Sequence, residues 1–343
     1  MTIIKDSGAS LTATIRDVAA AAGVSVSTVS KALSDGYRVN PETRARVKEI
    51  AKSLHFTPNR QAQSLHSGRT GTVGLLTSDL DGRFSIPVMM GAEDAFGLGE
   101  VSVFLCDARG DSIREQHHVR ALLSRRVDGL IIVGDSTNPR DPLSLALPIP
   151  VVYAYAPSSS PDDISVISDN VGAGRQAAEH LISSQRDRIG YIAGDPTFRA
   201  ATDRVAGATA GLFAQGLEFV GGSALYGGWT EEWGRNAVRH LLSVDSLMDG
   251  VLCGNDAIAR GVVDALREDG YDVPRAISVL GHDNWELIAT QARPPLSTID
   301  MNLEELGRNA ARLLFRAIDG DRAIGTHEVK TRLIHRGSTS PKY

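Results

Sequence analysis

The chain has 343 residues, 42% hydrophobic and 22% charged, which excludes a disordered protein and calls for more than one core. No apolar run is long enough to span a bilayer, and the N-terminal "MTIIKDSGASLTA" has no secretory cleavage pattern, so the expected location is the cytoplasm. The net charge of −5 is uneven: residues 1–70 hold ten Lys/Arg against five Asp/Glu, a head of +5 on a body of −10, which fits either a polyanion partner or a plain solvated basic surface.

Residues 1–13 read as a loose tail. Thr14 caps a first helix, with Asp17 at the capping-box position. Ile15, Val18, Ala19 and Ala22 then share one face, and Gly23 takes the left-handed conformation that ends the helix. Ser25 caps a second helix with Val29, Ala32 and Leu33 inside, and the small Ala19, Ala20 and Ala22 let the two pack closely. Asn40, Pro41 and Glu42 open a third helix, whose stripe is Val47, Ile50, Ala51 and Leu54. Two short helices joined at a glycine make a helix-turn-helix pattern over 14–57, although an ordinary three-helix core would show much the same. On the first reading, Val26, Ser27 and Lys31 project toward base edges in a major groove. Pro58 stops the third helix. The linker 58–70 holds about two further helical turns, too few to be stable alone, so it either folds against a partner or is a plain connection.

From Thr72 the texture changes. "TVGLLTSDL", "EVSVFLCDA", "VDGLIIVGD" and "IPVVYAYA" read as buried strands, with helices near 88–97 and 112–126 between the first three. After Ser168 come a helix over 172–184, the strand "RIGYIAGD", helices near 203–215 and 230–243, the strand "DGVLCGND", a helix over 256–269 and the strand "ISVLGHDN". This alternation predicts two doubly wound parallel sheets, hence two α/β lobes. Ligands in such folds bind at the carboxyl ends of strands. Asp135, Asp195, Asn255, Asp256 and the run His282, Asp283, Asn284 all follow strands directly, so polar groups gather where a cleft belongs.

Several motifs fail. "GAGRQA" (172–177) resembles a dinucleotide fingerprint, with Asp195 about twenty residues on, but "ISDN" separates it from the preceding strand. Its glycines are better explained by a helix starting close to a neighbouring backbone. Neither a P-loop nor a nucleophile elbow is present. Cys106 and Cys253 are isolated, and His117–His118 lack further ligands nearby, so no metal site or disulfide frame is expected. No acid, base and nucleophile set stands out, so no catalytic residue and no cofactor is assigned.

Taken together, "TIRDVAAAAGVSVSTVSKAL", "VNPETRARVKEIAKSLHFTPNRQAQSL", "RRVDGLII", "SDNVGAGRQAAEHL", "GNDAIARGVVDAL" and "SVLGHDN" with "RPPLSTI" resemble the LacI/GalR family of bacterial transcription repressors, from Thr14 to about Arg336. The resemblance implies an all-α helix-turn-helix DNA-binding head, a hinge helix, and an α/β two-lobed core like periplasmic binding proteins. The chain would cross between the lobes three times, giving a first lobe of 71–168 and 300–329 and a second of 169–299 and 330–340. It implies base contacts from Val26, Ser27 and Lys31, phosphate contacts from Ser25, Thr28 and Ser30, and a hinge helix matching Asn59, Ala62 and Leu65. Leu65 would be the apolar wedge that opens the minor groove. In the core, Arg204 and Asp283 match the family's most dependable effector contacts, and Phe84, Asp169, Phe198, Trp229 and Asn255 match other pocket positions. The Trp229 indole suits the apolar face of a sugar, although a purine would also stack and a plain core aromatic fits too. Arg83 stands where the family often has proline or an aromatic, which makes it a candidate for recognising an acidic or phosphorylated sugar. The expected protein is thus a repressor that binds double-stranded, near-palindromic DNA under control of a sugar-class effector. "HRGSTSPKY" carries no leucine heptads, so a homodimer is expected rather than a coiled-coil tetramer.

Overall fold

A computed structural model describes residues 13–33, 39–56, 69–78, 80, 83–97, 101–144 and 147–340. Asn59, Ala62, Leu65 and nearly all of the N-terminal tail lie outside them. The chain divides after Thr70 into two compact units.

The first unit contains α1 (Ile15–Ala22), α2 (Val26–Leu33) and α3 (Pro41–Ser53). Thr14 and Asp17 form a reciprocal capping box, with Thr14 N–H donating to Asp17 Oδ2 at 2.7 Å. Gly23, at φ +63°, ends α1 in the left-handed region, and Val24 N–H returns to Ala19 O. Asn40 Oδ1 accepts from Glu42 N–H, with Pro41 in the first turn of α3. The core is built of small side chains: Val18, Ala19, Ala22, Val29, Ala32, Val47 and Ala51. Two expectations need correction. Ala20 is exposed rather than buried between the helices. Leu54 is 37% exposed, because α3 ends at Ser53 and Leu54 only caps it.

The second unit holds two sheets. In chain order its elements are β1 (Thr72–Thr77), α4 (Ser85–Phe96), β2 (Ser102–Asp107), α5 (Ser112–Ser124), β3 (Gly129–Val133), β4 (Val151–Ala154), β5 (Ile164–Ser168), α6 (Asn170–Ser183), β6 (Ile189–Ile192), α7 (Arg199–Phe213), α8 (Glu231–Val244), β7 (Gly250–Cys253), α9 (Asp256–Glu268), β8 (Ser278–Asp283), α10 (Glu286–Ala289), β9 (Ser297–Asp300), α11 (Leu303–Ile318), β10 (Gly325–Val329) and β11 (Arg332–Ile334). The first sheet runs β10-β5-β4-β3-β1-β2 and the second β11-β9-β8-β7-β6. All pairings are parallel except that of β11 with β9. Central strands such as β3, β7 and β8 are buried throughout, as helices on both faces require.

The chain passes between the sheets three times, at 168–170, 300–303 and 329–332. The crossings are tied together: Asp169 N–H donates to Val329 O at 3.0 Å, Ser168 Oγ to Met301 O at 3.0 Å, and Asn302 Nδ2 to Lys330 O at 3.2 Å.

Helices α6 and α7 meet backbone to backbone. A Cβ at Gly174 would strike Arg204 O, and one at Gly207 would strike Val171 O. Of the two glycines of "GAGRQA", both inside α6, Gly174 is thus spent on helix packing, while Gly172 lies against the capping carboxylate of Asp169. The same reciprocal device joins α4 to α11 through Gly91 and Gly307, and α8 to α9 through Gly234 and Gly261. The α6–α7 contact holds the Arg204 backbone against Gly174 and so fixes where Arg204 stands.

Candidate functional site

On the first unit, α2 turns Val29 and Ala32 inward and leaves Val26, Ser27, Ser30 and Lys31 exposed. Val26 is 41% exposed, open enough for an apolar contact outside the fold. Ser25 Oγ accepts from Thr28 N–H at 3.2 Å and lies 2.8 Å from Thr28 Oγ1. These two hydroxyls thus form the N-terminal cap of α2, where the helix dipole favours an anion.

In the second unit a cluster forms between the lobes. Arg204, on α7, is 3% exposed. Its Nε donates to Asn170 Oδ1 at 2.9 Å and its Nη1 to Gly254 O at 2.7 Å, while Nη2 lies 3.6 Å from Met301 Sδ. Nη1 is also 3.6 Å from Asp283 Oδ1. From the first lobe, Arg83 sets Nη2 2.5 Å from Asp283 Oδ2. Its guanidinium lies over two rings, 4.8 Å from the Phe84 centroid and 4.9 Å from that of Trp285. Phe84 in turn stacks on Tyr155 at 4.6 Å.

Asp283 and Asn284 end β8 at φ +102° and +53°, two successive residues outside ordinary backbone space. Such strain persists where surrounding contacts impose it, and it gathers at sites that bind. Burial pushes the Asp283 carboxyl up, against the pull of Arg83 and Arg204. Behind it, Asp256 Oδ2 accepts from Trp285 N–H at 2.7 Å, and Oδ1 lies 2.6 Å from Thr298 Oγ1. Burial, with the nearby Asp283 charge, pushes the Asp256 carboxyl up to about 8. Asp256 is thus largely protonated at neutral pH. Burial, with Arg204 and Arg83 nearby, drives His282 well below its ordinary value, so its imidazole is neutral.

A second cluster lines the same lobe. The Trp229 ring packs on the backbone of Gly194, and the Phe198 ring meets it edge-on at 5.9 Å. Asn255 Nδ2 donates to Trp229 O at 3.4 Å, while its Oδ1 caps α9 by accepting from Ile258 N–H. Arg204 joins the two clusters through Gly254, the neighbour of Asn255.

Of the residues expected in the pocket, Arg83, Phe84, Arg204 and Asp283 meet directly, and Phe198, Trp229 and Asn255 form the adjoining wall. Asp169 stands apart. Its Oδ1 caps α6 by accepting from Gly172 N–H, and its Oδ2 pairs with Lys330 Nζ at 3.1 Å. It borders a separate crevice of about 520 Å³, also lined by Arg175, Gln176, Glu328 and Lys330. Sequence reasoning missed Trp285, Tyr155 and Asn170. Trp285 follows "GHDN" directly, and its aromatic ring beside that polar run was the available signal.

The lobes also meet at α7. Its N-cap, Phe198, has no side-chain cap of its own. Residues of the first lobe supply the acceptors: Ala200 N–H donates to Thr137 Oγ1 at 2.9 Å and Arg199 N–H to Asn138 Oδ1 at 2.7 Å.

Among the described residues no group of three or more His, Cys, Asp or Glu is placed to hold a metal, and no helix is long and apolar enough to cross a membrane. Residues 14–59 match the family model described as bacterial regulatory proteins, lacI family, and residues 178–339 match that of the periplasmic binding protein-like domain. The HTH-type transcriptional repressor PurR of Mannheimia succiniciproducens is 30% identical over 329 residues, 95% of this chain and 98% of that protein. The chain belongs to the LacI family. It is a DNA-binding transcriptional regulator, not an enzyme. Among other members of the LacI family, the regulator CelR of Thermobifida fusca is 34% identical, covering 90% of this chain and 92% of that one. Two solved LacI-family structures match over nearly their whole length. The CelR–cellobiose complex has a TM-score of 0.65 at 31% identity, covering 95% of this chain and 99% of that one. The Lac repressor dimer bound to operator and the anti-inducer ONPF has a TM-score of 0.70 at 26% identity, covering 96% and 99%.

Proposed function

We propose that this regulator is a cytoplasmic homodimeric repressor of a near-palindromic operator, and that a carbohydrate bound between the lobes controls its affinity for DNA. The observation that carries the effector reading is the cluster of Arg204, Asp283 and Arg83. It joins both lobes through paired charged groups and lies beside the Trp229–Phe198 wall. Aromatic faces take the apolar side of a sugar, and the polar groups take its hydroxyls. The cellobiose complex of CelR and the ribose operon repressor of Escherichia coli, 33% identical over 310 residues, support the carbohydrate class.

In this reading the domains are a head over 14–57, a hinge over 58–70, and two lobes of 71–168 with 300–329 and 169–299 with 330–340. Val26, Ser27 and Lys31 read bases, and Ser25, Thr28 and Ser30 hold phosphates. Asn59, Ala62 and Leu65 form the hinge helix, with Leu65 as its wedge. Phe84, Phe198, Trp229 and Asn255 complete the pocket around Arg204, Asp283 and Arg83, and Asp169 stands outside it. Regulation is a population shift: the effector favours one lobe geometry, and the two hinge helices of the dimer then pair well or poorly on the operator.

The test couples two titrations. Thermal shifts with cellobiose, ribose, other mono- and disaccharides and purines identify ligands, and fluorescence anisotropy on DNA from the regulator's own upstream region measures operator affinity with and without them. A carbohydrate that raises the melting midpoint should change operator affinity about 5- to 150-fold. Stabilisation by purines alone overturns the carbohydrate class. Stabilisation without any change in DNA affinity overturns the allosteric role. Leu65→Ala should weaken operator binding more than non-specific binding, and equal losses would remove the wedge.

A further inference from the structure

We propose that the effector carries an anionic group, a carboxylate or a phosphate, and that Arg83 is the residue that selects it. The inference rests on the reading of the inter-lobe cleft as the effector site and narrows the ligand class.

Among the described residues, the charges of the cluster do not balance. Arg83 and Arg204 bring two guanidinium groups to one carboxylate, Asp283. Asp256, the buried acid beside Asp283, has both oxygens engaged by Thr298 and Trp285 and holds its proton at neutral pH. His282 is neutral. Asp135, at the end of β3, is exposed to solvent and screened. One cation in excess in a partly dry cleft favours a ligand of opposite charge.

The excess falls on Arg83. Arg204 is satisfied by Asn170, Gly254 and Met301 and keeps Asp283 as its own counterion. Among the described residues, the contacts of Arg83 are Asp283 and the rings of Phe84 and Trp285. Those rings flank the guanidinium, and one carboxylate oxygen already lies against its Nη2. Asp283 thus stands in for the ligand's own anion. When that anion arrives, Arg83 turns to it and Asp283 stays with Arg204. A guanidinium takes carboxylate and phosphate with the same fork geometry.

The experiment is a thermal-shift titration of the full-length protein at fixed ionic strength with matched probes: glucose against gluconate, glucuronate and glucose 6-phosphate, and chloride against inorganic phosphate. At least one acidic probe should raise the midpoint where its neutral counterpart does not. R83Q should weaken that binding at least about tenfold, the loss expected for a charge-assisted contact. R83K keeps the charge without the fork and should retain part of the preference. The unliganded midpoint of each variant reports its folding. Equal shifts from neutral and acidic probes, an acidic shift that R83Q leaves intact, or no shift from any acidic probe overturns the proposal. The underlying reading fails separately. An acidic probe that binds through Arg83 but leaves operator affinity unchanged keeps the ligand class and removes the regulatory role. A neutral sugar that alters operator affinity does the reverse.

Discussion

The second lobe brings to the cleft groups that its own bonds already fix. Arg204 has Asn170 and Gly254, Asp256 has Thr298 and Trp285, and Asn255 caps α9. The first lobe brings Arg83 and Phe84 from the start of α4, and what holds Arg83 is largely the other lobe: Asp283 and Trp285. One wall is preorganised and the other depends on closure. Such a division separates recognition from signalling, because the dependent wall loses its own partners when the lobes part, while the side-chain bonds of the other wall lie within its lobe.

The contrast can be broken most sharply at Arg204. Arg204→Met leaves Asn170 Oδ1 and Gly254 O without their donor and Asp283 with one cation instead of two. Removing one partner from such a buried network costs about 3–5 kcal/mol, read by urea unfolding of the full chain. A loss below about 1 kcal/mol would mean that the second wall is not locked.

Asp256→Asn tests the same wall through its protons. The folded carboxyl titrates at about 8 against an ordinary 3.8. Between these values the folded chain keeps a proton that the unfolded chain releases. This group's contribution is therefore complete at low pH and falls as pH rises through that window. Asparagine accepts from Trp285 N–H and donates to Thr298 without titrating. Relative to wild type, the variant should gain on the order of 4 kcal/mol between about pH 5 and 8, measured by denaturation at each pH. Parallel pH curves would return Asp256 to the charged state.

The smallest effect belongs to the dependent side. Thr137→Val removes the acceptor for Ala200 N–H, at a cost of about 1 kcal/mol. Opening returns that N–H to water, so the cost should appear as a shift toward open lobes, with a larger radius of gyration in solution scattering and little change in unfolding. An unchanged radius with a lowered unfolding midpoint would make the contact merely structural.

What the sequence revealed follows the range of the forces involved. Caps are chemistry within three residues, and Thr14, Gly23 and Asn40 act as their local pattern demands. Strand ends declare themselves by composition, so Asn255, Asp256 and Asp283 were visible as a class. The start of α7 was misplaced by four residues, at 203 instead of Arg199, because its acceptors come from Thr137 and Asn138, some sixty residues away. Arg83 was visible as an oddity, but its partners Asp283 and Trp285 lie two hundred positions on, and only the folded chain brings them together. Asp169 matched a pocket position, yet its carboxylate is held between the first turn of α6 and Lys330.

The borrowed cap on α7 has a mechanical consequence. When the lobes separate, Arg199 and Ala200 lose their acceptors, and the first turn of the helix is free to fray. Arg204 lies just over one turn further along. The hinge angle and the firmness of the residue at the heart of the cleft are therefore geared together: the joint cannot swing without loosening the bearing on which Arg204 sits.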